Sequence, residues 1–219
     1  MPAEEHHLSV QRTARYYTLG PVAAARELWF VLHGHGQLSA YFIRHFAPLD
    51  DGKRLIVAPE ALNRFYLDNT SWHGSAQARI GATWMTREDR LADIDDYVGY
   101  LDALHGAVRT PMTGSPRVVV LGFSQGVATA CRWLARGKIR ADVLILWAGP
   151  LPQELDAAMA APLRALKLIR VLGEADDLGS PEGIAAEDSR YALAKLTPEL
   201  IRFPGGHTID ADVLRGLAP

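Results

Sequence analysis

Cysteine is nearly absent: Cys131 is the single one in 219 residues, so no disulfide can form within the chain. That excludes a disulfide-stapled secreted scaffold and suits a reducing, cytoplasmic setting. No apolar run approaches the ~20 residues of a membrane-spanning helix. The first residues, Met-Pro-Ala-Glu-Glu-His-His, lack the basic start and apolar stretch of a secretory signal. An excess of one charge is missing too. Lys and Arg number 23 against 25 Asp and Glu, a net charge of −2, which speaks against nucleic acid as a partner and against an acidic tail. There is no repeat and no low-complexity tract. A hydrophobic share of 48% is ordinary for a globular protein, and the length suits one domain over residues 1–219.

Short apolar runs alternate with helical patterns. The runs are 28–32, 55–58, 118–121, 143–147, 168–172 and 200–203, rich in Val, Ile and Leu with little alternation. Strands covered on both faces read this way, hence a parallel sheet. Residues 8–19 alternate more and predict an antiparallel edge strand. Helices are predicted over 41–46 behind an N-cap at Ser39, over 87–108, and over 125–136, 187–196 and 211–217. The second of these opens on Thr86 and Asp89, spaced like a capping box. Strands alternating with helices predict a doubly wound α/β fold with helices on both faces of a mostly parallel sheet. The stretch 62–85 has no period but several aromatics, as a substrate loop would.

Gly122-Phe123-Ser124-Gln125-Gly126 follows a strand and precedes a helix. A G-x-S-x-G in that context is a nucleophile elbow, in which the serine occupies a strained turn that lifts its hydroxyl into the cleft. The rival nucleophile Cys131 lies two turns into the helix and reads as core. A serine hydroxyl needs a base. In a strand–elbow–helix hydrolase the triad runs Ser, acid, His, and His207 is the one histidine after Ser124. The acid belongs after the strand 168–172, where Glu174, Asp176 and Asp177 all qualify. The loop Leu32-His33-Gly34-His35-Gly36-Gln37 follows the first central strand, which nominates the backbone N–H groups of His35 and Gln125 for an oxyanion hole. His33 and His35 could also open a metal site, but no H-E-x-x-H or paired-cysteine signature accompanies them. The reading is no metal, with His33 structural.

The chain resembles the phospholipase/carboxylesterase family of small α/β hydrolases, which includes the acyl-protein thioesterases. The resemblance rests on Leu32-His33-Gly34, Gly122-Phe123-Ser124-Gln125-Gly126, Gly173-Glu174-Ala175-Asp176 and Gly206-His207-Thr208-Ile209, in order, with Ser71-Trp72 similar to a family S-W. It implies an α/β-hydrolase fold in minimal form, without a cap domain. It selects Asp176 as the acid, giving a triad of Ser124, His207 and Asp176. Gln37, Val127 and Pro181 depart from the family pattern, which leaves the triad untouched and bears on substrate.

The expected activity is a serine carboxylesterase for short-chain esters, working through an acyl-enzyme, with Trp72 and Trp84 as walls of the substrate pocket. An acyl-protein thioesterase or lysophospholipase is the runner-up, and a ligand-binding pseudo-hydrolase the non-enzymatic alternative. No cofactor is expected. The expected partner is a small-molecule ester, without nucleic acid or membrane span, bound by a monomer or homodimer.

Overall fold

The computed structural model describes residues 2–23, 25–68 and 78–217. Among the described residues nine strands run in chain order: β1 (Tyr16–Leu19), β2 (Glu27–Leu32), β3 (Arg54–Pro59), β4 (Asn63–Tyr66), β5 (Ile80–Thr83), β6 (Arg117–Phe123), β7 (Val143–Trp147), β8 (Lys167–Gly173) and β9 (Glu199–Phe203). The helices are α1 (Ser39–Phe42), α2 (Arg90–Arg109), α3 (Gln125–Arg136), α4 (Ala157–Leu163), α5 (Pro181–Leu193) and α6 (Ala211–Leu217). Seven strands form one sheet in the order β1-β3-β2-β6-β7-β8-β9. All neighbours are parallel except β1, which pairs antiparallel with β3 as an edge strand. β4 and β5 form a separate antiparallel hairpin.

The strands are buried on both faces because each face carries its own apolar layer. Leu28, Phe30 and Leu32 of β2 join Val118 and Val120 of β6 and Leu144 and Leu146 of β7, packed with Leu101 of α2 and Trp133 of α3. Trp29 and Val31 join Ile56, Val119, Leu121 and Ile145 on the other face, where Phe42, Phe46 and Leu214 cover them. Successive side chains of a strand point to opposite faces, so a continuous apolar run feeds both layers.

Several boundaries differ from those the sequence suggests. Residues 41–46 do not form one helix. α1 ends at Phe42 and a 3-10 segment, Ile43–Leu49, continues it. Ser39 is not its cap, since its hydroxyl donates to the Pro59 carbonyl at 2.7 Å and ties α1 to the end of β3. α2 starts at Arg90. Its N-cap Asp89 has φ 45 and makes no capping bond, so the predicted capping box is absent. α5 starts at Pro181, six residues before the periodicity begins, because Ser180 accepts a hydrogen bond from the Gly183 N–H at 3.1 Å. The stretch 62–85 is not structureless: it holds the β4–β5 hairpin, while residues 69–77 lie outside the described ones. No helix among the described residues is long and apolar enough to cross a membrane.

The order of strands reverses between β2 and β6, the two central ones. Ligands of open α/β sheets bind outside the carboxyl ends of the strands at such a switch point. β2 and β6 are in register with Leu32 opposite Gly122. The loops that follow both strands therefore emerge side by side.

Candidate active site

β6 ends in a turn that few residues tolerate. Ser124 has φ 54 and ψ −118, a strained backbone for any residue with a side chain. The strand and α3 pass so closely here that a Cβ on Gly122 would lie 2.3 Å from the Gly126 carbonyl oxygen, and one on Gly126 2.2 Å from that of Leu32. Only glycine fits at either place. The Ser124 N–H donates to the Trp147 carbonyl at 2.9 Å, and the Val127 N–H closes the turn onto the Ser124 carbonyl at 3.0 Å. These bonds hold the turn in its unfavourable conformation.

Of the three acidic candidates after β8, Asp176 is the one that meets the histidine. Its Oδ2 lies 2.8 Å from Nδ1 of His207, and its Oδ1 accepts the Leu178 N–H at 3.0 Å. Both side chains are largely sheltered, 12% and 20% exposed, so the pair is less screened than a surface ion pair. Glu174 and Asp177 are exposed. The acid and histidine loops are bonded to each other: the Glu174 N–H reaches the Phe203 carbonyl, and the Ala175 N–H that of Gly205, both at 2.9 Å. The Trp147 indole N–H adds a bond to the Thr208 carbonyl at 2.9 Å. The His207 ring leans on Phe123, the residue before Ser124, with centroids 4.8 Å apart. No hydrogen bond joins the Ser124 hydroxyl to His207. In unliganded sites such bonds are commonly long and tighten when substrate binds.

The loop after β2 lies against the serine. A Cβ on Gly34 would come within 3.0 Å of the Ser124 Cβ. Gln37 shapes this loop, with its Oε1 accepting the Gly34 N–H at 2.8 Å. The Gly36 N–H bonds the Ala82 carbonyl at 2.8 Å, which fastens the loop to β5. The His35 N–H takes no backbone partner. That of Gln125, first in α3, has none within its helix, as in any first turn. Neither amide is used within its own loop or helix, and Gln125 follows Ser124 directly in the chain. The His35 ring stacks on Phe65 at 5.1 Å.

His33 is wholly buried and both its ring nitrogens are engaged. Nε2 accepts the Ala61 N–H at 3.0 Å, so the proton resides on Nδ1, which donates to the Gly34 carbonyl at 2.7 Å. Burial drives its pKa down to about 4, and the neutral ring serves as a fixed brace for the loop. Cys131 is fully buried and its thiol is pushed up to about 12 by that burial, which keeps it out of nucleophilic chemistry.

The two tryptophans expected in the pocket fare differently. Trp72 lies outside the described residues. Trp84 is corrected: it is a core residue, 1% exposed, and it is not a pocket wall. Its indole N–H must find a partner once buried and donates to the His33 carbonyl at 2.8 Å, while its ring packs on His33 and Tyr97. Two open cavities adjoin the loops around this turn instead. One, of about 560 Å³, borders the loop after β2 and has Leu38, Tyr41, Phe42, Leu67 and Ile80 in its wall. The other, of about 450 Å³, includes Asp176 and His207. The stretch 62–85, expected to wall the acyl pocket, contributes Leu67 and Ile80 to the first of them, while the remaining walls of both come from segments distant in the chain.

Comparison with known proteins bears on the family and the fold. The family model described as Serine hydrolase (FSH1) matches residues 30–212. No curated protein matches significantly in sequence. Among solved structures, the chain is similar to a carboxylesterase from Mesorhizobium loti at 16% identity and TM-score 0.68, covering 94% of this chain and 95% of that one. It is similar to Zea mays acyl-protein thioesterase 2 at 17% identity and TM-score 0.67, covering 94% and 98%. Esterase PE8 is similar at 22% identity and TM-score 0.65, covering 94% and 96%. At such identities these neighbours establish the fold, a mostly parallel α/β-hydrolase sheet flanked by helices.

Proposed function

The chain belongs to the FSH1 family of serine hydrolases, and from that premise we propose that it is a carboxylesterase of short-chain esters, with Ser124, His207 and Asp176 as its triad. One domain carries all three. The observation that supports this most is the Asp176–His207 bond at 2.8 Å placed beside a serine with φ 54 at the head of α3.

In this reading Ser124 Oγ attacks the ester carbonyl carbon and passes its proton to Nε2 of His207. Asp176 holds the Nδ1 proton and stabilises the imidazolium. The N–H groups of His35 and Gln125 receive the oxyanion, aided by the positive end of α3. His207 then protonates the departing alcohol oxygen. Water, deprotonated by the same ring, releases the acid from the serine. This sequence calls on no cofactor. The acyl group occupies the cavity beside the oxyanion loop, whose wall includes Tyr41 and Phe42.

Two measurements test this. A fluorophosphonate probe should label the wild type and leave Ser124→Ala unlabelled. Rates on p-nitrophenyl esters of rising chain length, set beside a palmitoyl thioester, should peak at short acyl chains. A peak at the palmitoyl thioester would replace this substrate class with that of a thioesterase.

A further inference from the structure

α3 carries an arginine on its buried side. The Arg132 side chain is 5% exposed. Glu154, in the loop after β7, accepts from it twice, Oε1 from Nε at 2.5 Å and Oε2 from a terminal nitrogen at 3.0 Å. Taking two charges out of water commonly costs more than their attraction returns, and apolar residues of similar volume fold as well or better. Stability alone therefore gives no reason for a charge here, and the other contacts of the guanidinium bear on its use. Its remaining nitrogen donates to Met85 Sδ at 3.3 Å and lies 3.5 Å from the Tyr97 hydroxyl.

Met85 is where Arg132 meets the proposed oxyanion hole. Gln125 and Arg132 are seven residues apart, two helical turns, so both project from one face of α3. Both reach the segment that follows β5. The Gln125 carboxamide donates to the Met85 carbonyl at 3.0 Å, and the Thr83 hydroxyl donates to the same oxygen at 2.9 Å. Met85 stands two residues past the end of β5, beyond the β4–β5 ladder. Its thioether chain is unbranched and adaptable, and Arg132 holds it at the sulfur.

Arg132 is in turn held firmly. Glu154 also accepts from Arg90, the first residue of α2, at 2.6 Å. The hydrogen bonds from Arg132 lead the effects that hold the Glu154 carboxyl down to about 2, so the pair stays charged across the neutral range. A planar guanidinium bound at two nitrogens leaves the third with a fixed direction. The loop that carries Glu154 is seated on the elbow at its other end, where a Cβ on Gly149 would stand 2.1 Å from the Ser124 carbonyl oxygen.

We propose that Arg132, oriented by Glu154, is a positioning residue that fixes Met85, whose carbonyl holds the Gln125 carboxamide, and so sets the aim of the Gln125 N–H at the oxyanion. This rests on the esterase reading above.

The experiment is a double-mutant cycle on p-nitrophenyl acetate with wild type, Arg132→Met, Gln125→Leu and the two combined. Arg132→Met should lower kcat about fivefold with KM little changed, well within the 10²-fold that a misplacement remote from the chemistry can cost. In the Gln125→Leu background the same substitution should change kcat less than about twofold, because residues that act through one another are not additive. Trifluoroacetone, whose carbonyl carbon takes Ser124 Oγ to give a hemiketal oxyanion, should lose about the same fivefold in affinity for Arg132→Met. Glu154 keeps Arg90 in that variant and is not stranded. If Arg132→Met does not fold, Met85→Leu decides: it keeps the volume and the Arg132–Glu154 pair, removes the sulfur, and should lower kcat about threefold with the same dependence on Gln125. Equal losses in both backgrounds, a loss confined to KM, or unchanged trifluoroacetone affinity overturns the proposal and leaves Arg132 a structural residue. An unchanged kcat in Gln125→Leu alone overturns it too. Each of these failures would occur with turnover still dependent on Ser124. Failure of the esterase reading would instead show as turnover surviving in Ser124→Ala.

Discussion

The carboxamide of Gln125 donates to Thr83 Oγ1 at 2.9 Å and so fastens the residue after Ser124 to the end of β5. The same side chain donates to the Met85 carbonyl at 3.0 Å and accepts the Trp84 N–H at 3.1 Å. The loop after β2 is bonded to β5 as well, through Gly36 and Ala82. One strand thus aligns both amides of the proposed oxyanion hole, although it contributes no group to the chemistry.

The expected result of Gln125→Leu is therefore a loss of kcat by roughly tenfold or more with KM little changed. The amide remains but its aim loosens, and oxyanion stabilisation acts in the transition state. Steady-state kinetics on a short acetate ester provide the check. A change confined to KM would mean that Gln125 contacts substrate rather than positioning the amide.

Asp176→Asn should cost about 10³-fold or more in kcat, because the amide would present its N–H to Nδ1 and favour the wrong tautomer of His207. Asp177→Asn, exposed and away from the ring, should stay within a few-fold of wild type. Equal rates for the two would remove Asp176 from the triad.

Trp84→Phe should lower stability by about 1–2 kcal/mol, since the buried His33 carbonyl loses its donor. The chain-length profile should be unaltered, as the indole faces the core. Urea unfolding together with the p-nitrophenyl series measures both. A shift toward longer chains would return Trp84 to the pocket.

His33 predicts a pH dependence of stability. Its folded pKa of about 4 lies below the ordinary value of 6.5, so the unfolded chain binds a proton that the native one excludes. The native state is then fully favoured above 6.5 and loses stability as pH falls from about 6.5 to 4, by about 3 kcal/mol at 1.36 kcal/mol per unit. His45 and His105, both lowered by burial, add in the same direction. The difference in unfolding free energy between wild type and His33→Gln should thus shrink across that range. A constant difference between pH 7 and pH 4 would contradict the buried neutral ring.

Much of the fold was legible in the sequence because local rules suffice for it. Apolar runs without alternation specify strands covered on both faces, and the three-to-four residue spacing of Ile94, Val98, Leu101 and Leu104 marks the buried side of α2. The elbow was legible too, since a glycine on each side of Ser124 is what the crossing of β6 and α3 requires. Even the early start of α5 had a local sign in Ser180-Pro181, a cap followed by a proline at the first helical position. Periodicity overlooked it because Pro181 to Ala186 is mostly polar or small.

Tertiary structure decided what depends on meetings between distant segments. By position alone three acids after β8 were equivalent and the family resemblance favoured Asp176, but the contact itself exists only because that loop folds against the 204–207 turn and puts Asp176 on His207. Trp84 is aromatic in an aperiodic stretch whether it faces substrate or core. The presence of the His33 carbonyl 51 residues away turns it inward. Arg170 would pass in the sequence for an interruption of an apolar strand. Its partners, Asp188 and Tyr191, both come from α5. A chain's local pattern is set by the periods of helix and strand, whereas a site is made of side chains from several elements, and their distances exist only once the sheet has brought the loops together.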